Sequence, residues 1–182
     1  MEDLNIKHDL TLVKAEYVKY SKKELLHCLQ KLFIENNYII SKIKKSESIF
    51  NIDFENLDGT MLKTNIIIKN ITNAGWTDKP HIKRIQVSNL SEQFDKNAEE
   101  SLNLYIGYYC FDKNPIYVVW EPMRYVNHST LRSCYVNVES LIRGYELGYL
   151  DTVNSSQKVW IFRKEYLEKF IREYKLYLKH DK

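Results

Sequence analysis

Apolar residues recur at helical spacing in three parts of the chain, and these parts carry helix start and stop signals. In the first part, Ser21 precedes Glu24 by three residues, the capping-box pattern with which helices begin. In the second part, Gly148 follows the last apolar position, and glycine commonly stands just past a helix end. The pattern predicts helices over residues 22–36, 138–147 and 164–180.

A second pattern, the alternation of apolar with polar residues and short apolar runs between turn residues, predicts that most of the remaining chain forms strands. In its clearest segment, alternation places Phe50, Ile52 and Phe54 on one side of a half-buried strand. Asp58 and Gly59 follow as an Asp-Gly pair, which is a strong signal for a hairpin turn. The predicted strands are residues 38–43, 49–55, 61–69, 82–87, 104–111, 116–120, 133–137, 149–153 and 158–162.

The order of these elements predicts a strand-rich α+β fold with an open, antiparallel, barrel-like β-sheet and flanking helices. A chain of 182 residues fits one domain, so we expect a single domain over residues 1–182. In this prediction an N-terminal helix (22–36) precedes a barrel-like core (38–162), and a C-terminal helix (164–180) follows it. Residues before Tyr20 have only a weak pattern.

Composition narrows the class of protein. The chain is 44% hydrophobic and 28% charged, with a formal charge of +3, which is ordinary for a globular protein and mildly basic. Its first residues do not resemble a signal peptide, and it contains no run of 18 apolar residues. The cysteines, Cys28, Cys110 and Cys134, are far apart and lack metal spacing. We therefore expect a soluble cytoplasmic protein with reduced structural thiols and no membrane contact.

Common catalytic motifs are absent from the sequence. It has no Walker loop and none of the GxGxxG, GxSxG or HExxH patterns, so we expect no cofactor, no metal and no catalytic residue in this chain. The alternative is a small magnesium-dependent endonuclease that uses Asp53, Glu55 or Asp58. That site would also need a Glu-x-Lys element on the next strand, and this element is missing there.

A polar loop between two predicted strands is the first candidate for a binding site. Between Thr60 and Ser91 the chain has five basic residues and one acid, a local charge of +4. Basic, amide and aromatic side chains together suit the grip of a phosphate backbone and the reading of base edges. Its candidate DNA-binding residues, including the start of the following strand, are Asn73, Trp76, Lys79, Lys83 and Arg84.

A second polar loop, over residues 121–132, is the other candidate. Residues 122–132 include two arginines and no acid, whereas the acids of the chain cluster at 92–100. Arginine binds guanine bidentately, asparagine binds adenine, and hydroxyl groups bind phosphate. The candidate residues here are Arg124, Asn127, His128, Ser129, Thr130 and Arg132.

The two loops are expected to divide the work of binding. Arg124, Asn127 and Arg132, together with residues of the first loop, would contact base edges. Phosphates would be held by Lys79, Lys83, Ser129 and Thr130. Since neighbouring strand residues point in opposite directions, at most one of Lys83 and Arg84 is expected to face the DNA, unless the strand is an edge.

Two stretches of the chain carry a family resemblance. One is KPHIKRIQV, and the other is YVVWEPMRYVNHSTLRSCYVNVESLIRGYELGYLDTVNSSQKVWIFRKEYLEKFI, in which a strand, a polar loop, a second strand, a helix and a late strand succeed one another. On these stretches the chain resembles, over about Asn65 to Ile171, the N-terminal DNA-recognition domain of McrBC-like restriction subunits of the LlaJI type. Those subunits are similar to the DNA-binding pseudobarrels of EcoRII, BfiI and plant transcription factors. The resemblance implies a seven-stranded open barrel with two arms, at about 70–84 and 122–132, that enter the major groove.

The resemblance also implies a function, which is sequence-specific binding of double-stranded DNA as the target-recognition domain of a restriction system. A GTPase motor domain and a nuclease subunit would then be its partners, since this chain carries the signature of neither. Two other functions stay open from the residues alone. One is the magnesium-dependent endonuclease, and the other is a non-catalytic domain that binds protein.

Overall fold

The computed structural model describes residues 4–6, 12–14, 19–45, 49–87, 101–111, 114–121, 132–154 and 157–180. These ranges contain three helices: α1 (Lys22–Ile34), α2 (Val138–Leu147) and α3 (Leu167–His180). A single 3-10 turn (Lys164–Tyr166) directly precedes α3. The strands are β1 (Leu4–Ile6), β2 (Leu12–Lys14), β3 (Ile39–Lys45), β4 (Phe50–Glu55), β5 (Met61–Asn70), β6 (Thr72–Asn73), β7 (Ile82–Val87), β8 (Ser101–Phe111), β9 (Asn114–Trp120), β10 (Arg132–Asn137), β11 (Tyr149–Asn154) and β12 (Gln157–Phe162).

A central sheet of seven strands organises the molecule. Its strand order is β11-β12-β9-β8-β5-β4-β3, and every neighbouring pair is antiparallel except β5 and β8, which run parallel. A small sheet has the order β10-β7-β6 and is antiparallel throughout. The strands β1 and β2 pair only with each other. In the described ranges the sheets do not close into a barrel.

Local sequence signals account for the ends of α1 and α2. At α1, Ser21 Oγ accepts a hydrogen bond from Glu24 N at 3.3 Å, and Glu24 Oε2 accepts one from Ser21 N at 2.6 Å. Hydrogen bonds that the Glu24 carboxylate accepts from the side chain and the backbone N–H of Ser21 hold the pKa of Glu24 below its usual value. At α2, Asn137 Oδ1 accepts a hydrogen bond from Ser140 N at 2.6 Å, and Gly148 ends the helix at a φ of 77°. Only a residue that tolerates positive φ ends a helix in this way without strain.

Helices α1 and α3 cover one face of the central sheet. The core they form is rich in aromatic rings, and the Phe33 ring stacks on the Phe54 ring with centroids 3.8 Å apart. Trp160 meets Tyr174 edge-on at 5.0 Å, and the buried Tyr174 hydroxyl donates to Asn103 O at 2.8 Å. Burial of this apolar area is the main source of stability on this side.

The small sheet and α2 cover part of the opposite face and form a second core. Here the side chains are mostly aliphatic, and Trp120 lies among them with its indole Nε1 donating to Tyr135 O at 2.9 Å. Gly107 allows this close packing, because a Cβ atom there would lie 2.6 Å from Ile71 Cγ1. The buried residues of the small sheet and α2 in this core are Ile85, Val87, Cys134, Val136, Val138 and Leu141.

The predicted fold class is confirmed as a strand-rich α+β fold with an open sheet and flanking helices, although one strand pair is parallel. Predictions for β7 and α2 match the structure residue by residue. Three features were not predicted: the strands β1 and β2, which lie in the weakly patterned first residues, the short strand β6, and the 3-10 turn that begins the last helical segment. The single-domain assignment stays a prediction. No helix in the described ranges is long and apolar enough to cross a membrane.

Candidate nucleic-acid interface

The first predicted loop is anchored at both ends by the small sheet. The chain leaves β5, forms the short strand β6 beside β7, and returns through residues 74–81. Ala74 N donates to Ile82 O at 3.0 Å, and Ile82 N donates to Lys79 O at 3.1 Å. These hydrogen bonds hold the loop against the strand it enters, so its side chains start from a defined backbone.

The two cations of β7 point to opposite sides of the small sheet, as expected from strand geometry. Lys83 is fully buried, together with Ile85 and Val87 on the inner face. Arg84 is partly exposed on the other side of the strand, followed by the exposed Gln86. The alternation therefore assigns the two neighbouring cations to different environments.

Lys83 lies inside the molecule and not on the surface where a phosphate would bind. Its Nζ donates a hydrogen bond to Asn73 Oδ1, and Asn73 stands directly opposite it on β6. A buried ammonium needs such partners, because an unpaired charge in a low-dielectric interior is very costly. This placement argues against the predicted phosphate contact by Lys83, and it gives Asn73 a structural task as the acceptor.

The other side of the small sheet, which we call the outer face, presents a polar and aromatic surface. Across the three strands, Arg84 stands between Tyr135 of β10 and Thr72 of β6. In the neighbouring row of the same face, Gln86 stands opposite Ser133. All five side chains are at least partly exposed. Of the five, only Arg84 was predicted as a site residue. Thr72, Ser133 and Tyr135 join this face through the pairing register, and Gln86 joins it through alternation along β7.

Trp76 packs on the outer face and carries part of the loop with it. Its ring stacks on Tyr135 with centroids 4.9 Å apart and planes 28° apart. Lys79 Nζ lies 5.6 Å from the centre of the Trp76 ring, within cation–π range. Trp76 is still 39% exposed. The sequence predicted a DNA-binding residue here, and the contacts of Trp76 favour a residue that positions the loop and Lys79.

Arg84 is the donor on the outer face with unused hydrogen-bonding capacity. Its Nε atom is shielded from solvent and donates no hydrogen bond within the described part of the chain. Buried donors are nearly always paired in folded proteins, so an exception calls for an explanation. Because this atom is shielded, an acceptor on a ligand would reach it only if the guanidinium group turned outward.

Most of the second predicted arm lies outside the described residues. This applies to Arg124, Asn127, His128, Ser129 and Thr130. Arg132 is the first residue of β10, where its backbone pairs with Val87. The arm thus begins and ends at strands that the structure describes, because Glu121 follows β9 directly.

The acids considered for a nuclease do not form a group in the structure. Asp53 lies on β4 between Lys42 and Lys63 in the pairing register, and Glu55 is two residues further along the same strand. Asp58 lies in the β4–β5 turn, where hydrogen bonds from Thr60 hold its pKa below the usual value. Among the described residues, no three His, Cys, Asp or Glu side chains come together as a metal site would require.

Comparison with known protein families identifies a match over more than half of the chain. The family described as MTaX1, methylase-associated X1, matches residues 62–171. This range runs from β5 to the first turns of α3 and contains the whole small sheet. No curated protein and no solved structure matches the chain.

Proposed function

The chain belongs to the methylase-associated X1 family, which is linked to restriction–modification systems, and from this membership we propose that it binds double-stranded DNA sequence-specifically as a target-recognition domain. The outer face of the small sheet and the loop over residues 74–81 would form one arm in the major groove. Residues 122–132 would form the second arm.

The observation that carries this proposal is the position of Arg84. Its partly exposed side chain stands on a rigid strand whose inner side is fixed in the second core. Arginine is the residue that most often reads a guanine edge, and a good bidentate contact is worth about 1–3 kcal/mol of discrimination. The polar neighbours Gln86 and Ser133 fit such a contact.

Three of the predicted contacts are refined by the structure. Lys79 lies beside Trp76 on the loop, where an exposed ammonium can meet a phosphate. Asn73 and Lys83 leave the proposed contact set, because Lys83 is fully buried and donates its hydrogen bond to the partly exposed Asn73. Thr72, Gln86, Ser133 and Tyr135 enter it as residues of the outer face.

The proposed partners would perform the reactions that follow DNA recognition. Recognition would reside in this chain, while modification or cleavage would be performed by other subunits or domains. The family description points to a methylase as one of them. A GTPase motor and a nuclease subunit, as in McrBC-like systems of the LlaJI type, remain the other partners that we propose.

The test is a binding selection on random DNA duplexes at two salt concentrations. We expect one motif to be enriched, with a weaker sequence-independent affinity that falls as salt rises. The variant Arg84→Gln should relax the preference at one base pair of the motif, because the new side chain lacks the guanidinium fork. Lys175→Gln on the exposed side of α3 is the matched control and should leave the motif intact. Failure of the unaltered chain to enrich any motif would count against the proposal.

A further inference from the structure

On the face of the central sheet that carries the second core, the described side chains in the two rows next to that core are polar. The second core on this face includes Ile67 of β5 and Tyr105 of β8, which are register partners. Two residues earlier on each strand, the same face continues with Asn65 opposite Asn103. The polar surface therefore begins in the row next to the core.

Two rows of side chains make up this surface, which we call the amide face. The first row runs across four strands as Lys44, Asn51, Asn65 and Asn103. The second row runs beside it as Lys42, Asp53, Lys63 and Ser101. The three lysines of the amide face are exposed, and with one acid they give its eight residues a charge of +2. No apolar side chain interrupts either row.

The three asparagines form a hydrogen-bonded ladder. Asn51 Nδ2 donates to Asn65 Oδ1 at 2.6 Å, and Asn65 Nδ2 donates to Asn103 Oδ1 at 2.9 Å. Asparagine is depleted in strands, yet here it occupies three paired positions on neighbouring strands. Departures from local preference of this kind concentrate at functional sites. The partly exposed Asn51 and Asn103 keep hydrogen-bonding capacity beyond the ladder, since an amide has two donor hydrogens and two acceptor lone pairs. Asn65 is only 8% exposed and holds its two neighbours in place.

We propose that the amide face binds the sugar–phosphate backbone of DNA. Charge complementarity and composition both favour this occupant. The centre of a protein–protein interface is enriched in aromatic and other apolar side chains, whereas a protein–DNA interface is more polar and positively charged. The lysines supply neutralising charges, and the asparagine ladder supplies neutral donors at the spacing of paired strands.

This inference rests on the proposed DNA-binding function and extends it to a second surface. The outer face reads bases, and the amide face holds the backbone without regard to sequence. The two surfaces therefore make different predictions for the same DNA, since a backbone contact affects the affinity for all sequences alike.

The test measures the affinity of the full chain for a random-sequence duplex across a series of salt concentrations. In the triple variant Lys42→Gln, Lys44→Gln and Lys63→Gln, we expect weaker binding to every sequence. The slope of log K against log salt should fall by about 0.9 for each phosphate that is no longer neutralised, up to about 2.7 in all. The matched control removes three exposed lysines from the helices on the opposite side: Lys23→Gln, Lys175→Gln and Lys179→Gln.

A second variant tests the ladder apart from the charges. Asn65→Thr keeps a β-forming residue at the centre of the row and removes the amide. We expect an affinity about three- to tenfold lower with an unchanged salt slope, because the variant removes a hydrogen bond but no charge. Circular dichroism and thermal unfolding report whether each variant keeps its fold.

The possible results separate this inference from the proposed function. If the unaltered chain binds DNA and the lysine variant behaves like its control, the amide face is not a backbone site, while the outer face keeps its role. If the unaltered chain binds no DNA even at low salt, both proposals fail. If Arg84→Gln changes the sequence preference, while the lysine variant weakens binding to all sequences alike and lowers the salt slope, both are supported.

Discussion

The two faces of the small sheet differ more than their sequences suggest. On β7, Lys83 and Arg84 are adjacent cations, yet Lys83 is fully buried against Asn73 and Arg84 is partly exposed between Tyr135 and Thr72. The inner face joins the small sheet to the central sheet, and the outer face has no such covering among the described residues. Charge at a sequence position therefore says little about binding until the face is known.

The comparison also shows how a rigid scaffold and a polar surface share one strand. Inner residues such as Ile85 and Val87 fix the height and tilt of β7. The outer side chains of β7 are positioned without a further cost in backbone entropy, because the backbone is already ordered. A site built this way holds its side chains more precisely than one on a free loop.

The largest expected loss of stability comes from truncating a packed side chain on the inner face. Ile85→Ala removes most of a side chain that is 1% exposed, and the cavity left behind should lower the free energy of unfolding by about 3 kcal/mol. Gln86→Ala, one residue later on the outer face, should change it by less than about 0.5 kcal/mol. Urea unfolding of both variants measures the contrast. Equal losses would mean that both faces of the sheet are packed.

A second, smaller difference in the free energy of unfolding is expected between variants of Asn73, the partner of the buried Lys83, and of Thr72. Asn73→Ala removes the acceptor that Lys83 Nζ uses, and loss of a hydrogen bond to a charged group should cost about 2 kcal/mol. Thr72→Ala, its neighbour on the outer face, is the control and should cost less than about 0.5 kcal/mol. The same urea experiment applies. A cost for Asn73→Ala no greater than the control would show that Lys83 does not depend on this amide.

The smallest expected effect is the coupling energy between Trp76 and Tyr135 on the outer face. Because Trp76 stacks on Tyr135 at 4.9 Å, the two rings should be coupled by about 1 kcal/mol beyond their separate contributions. A double-mutant cycle with Trp76→Ala, Tyr135→Ala and the double variant measures this coupling through thermal unfolding. Additive single effects would show that the loop is not held by the stack, and Trp76 would then be available to a base.

Much of the fold was predictable because its signals are local. The capping box at Ser21, the hairpin turn at Gly59 and the stop at Gly148 all act within a few residues, and each is present in the structure. Predicted strand bounds agree with the observed ones to within a few residues. The parallel pairing of β5 with β8 was not predictable, because the two strands are distant in sequence and no local pattern indicates that they pair.

The candidate site was predictable only in part. Local charge and loop composition drew attention to residues 70–84, and period-two alternation separated Lys83 from Arg84. Neither pattern indicated which of the two was buried. Tyr135 and Ser133 were missed because they join the outer face through register with β7, and Asn51, Asn65 and Asn103 were missed because each looks ordinary in its own strand.

The sequence by itself determined the approximate position of most helices and strands, since caps, turns and alternation act over a few residues. It also determined that the β7 cations face opposite sides. Only the tertiary structure decided which side is interior, and it alone aligned three asparagines and three lysines on one face. The physical reason is that side-chain neighbours across a sheet are set by strand order and register, which depend on hydrogen bonds and packing between distant parts of the chain.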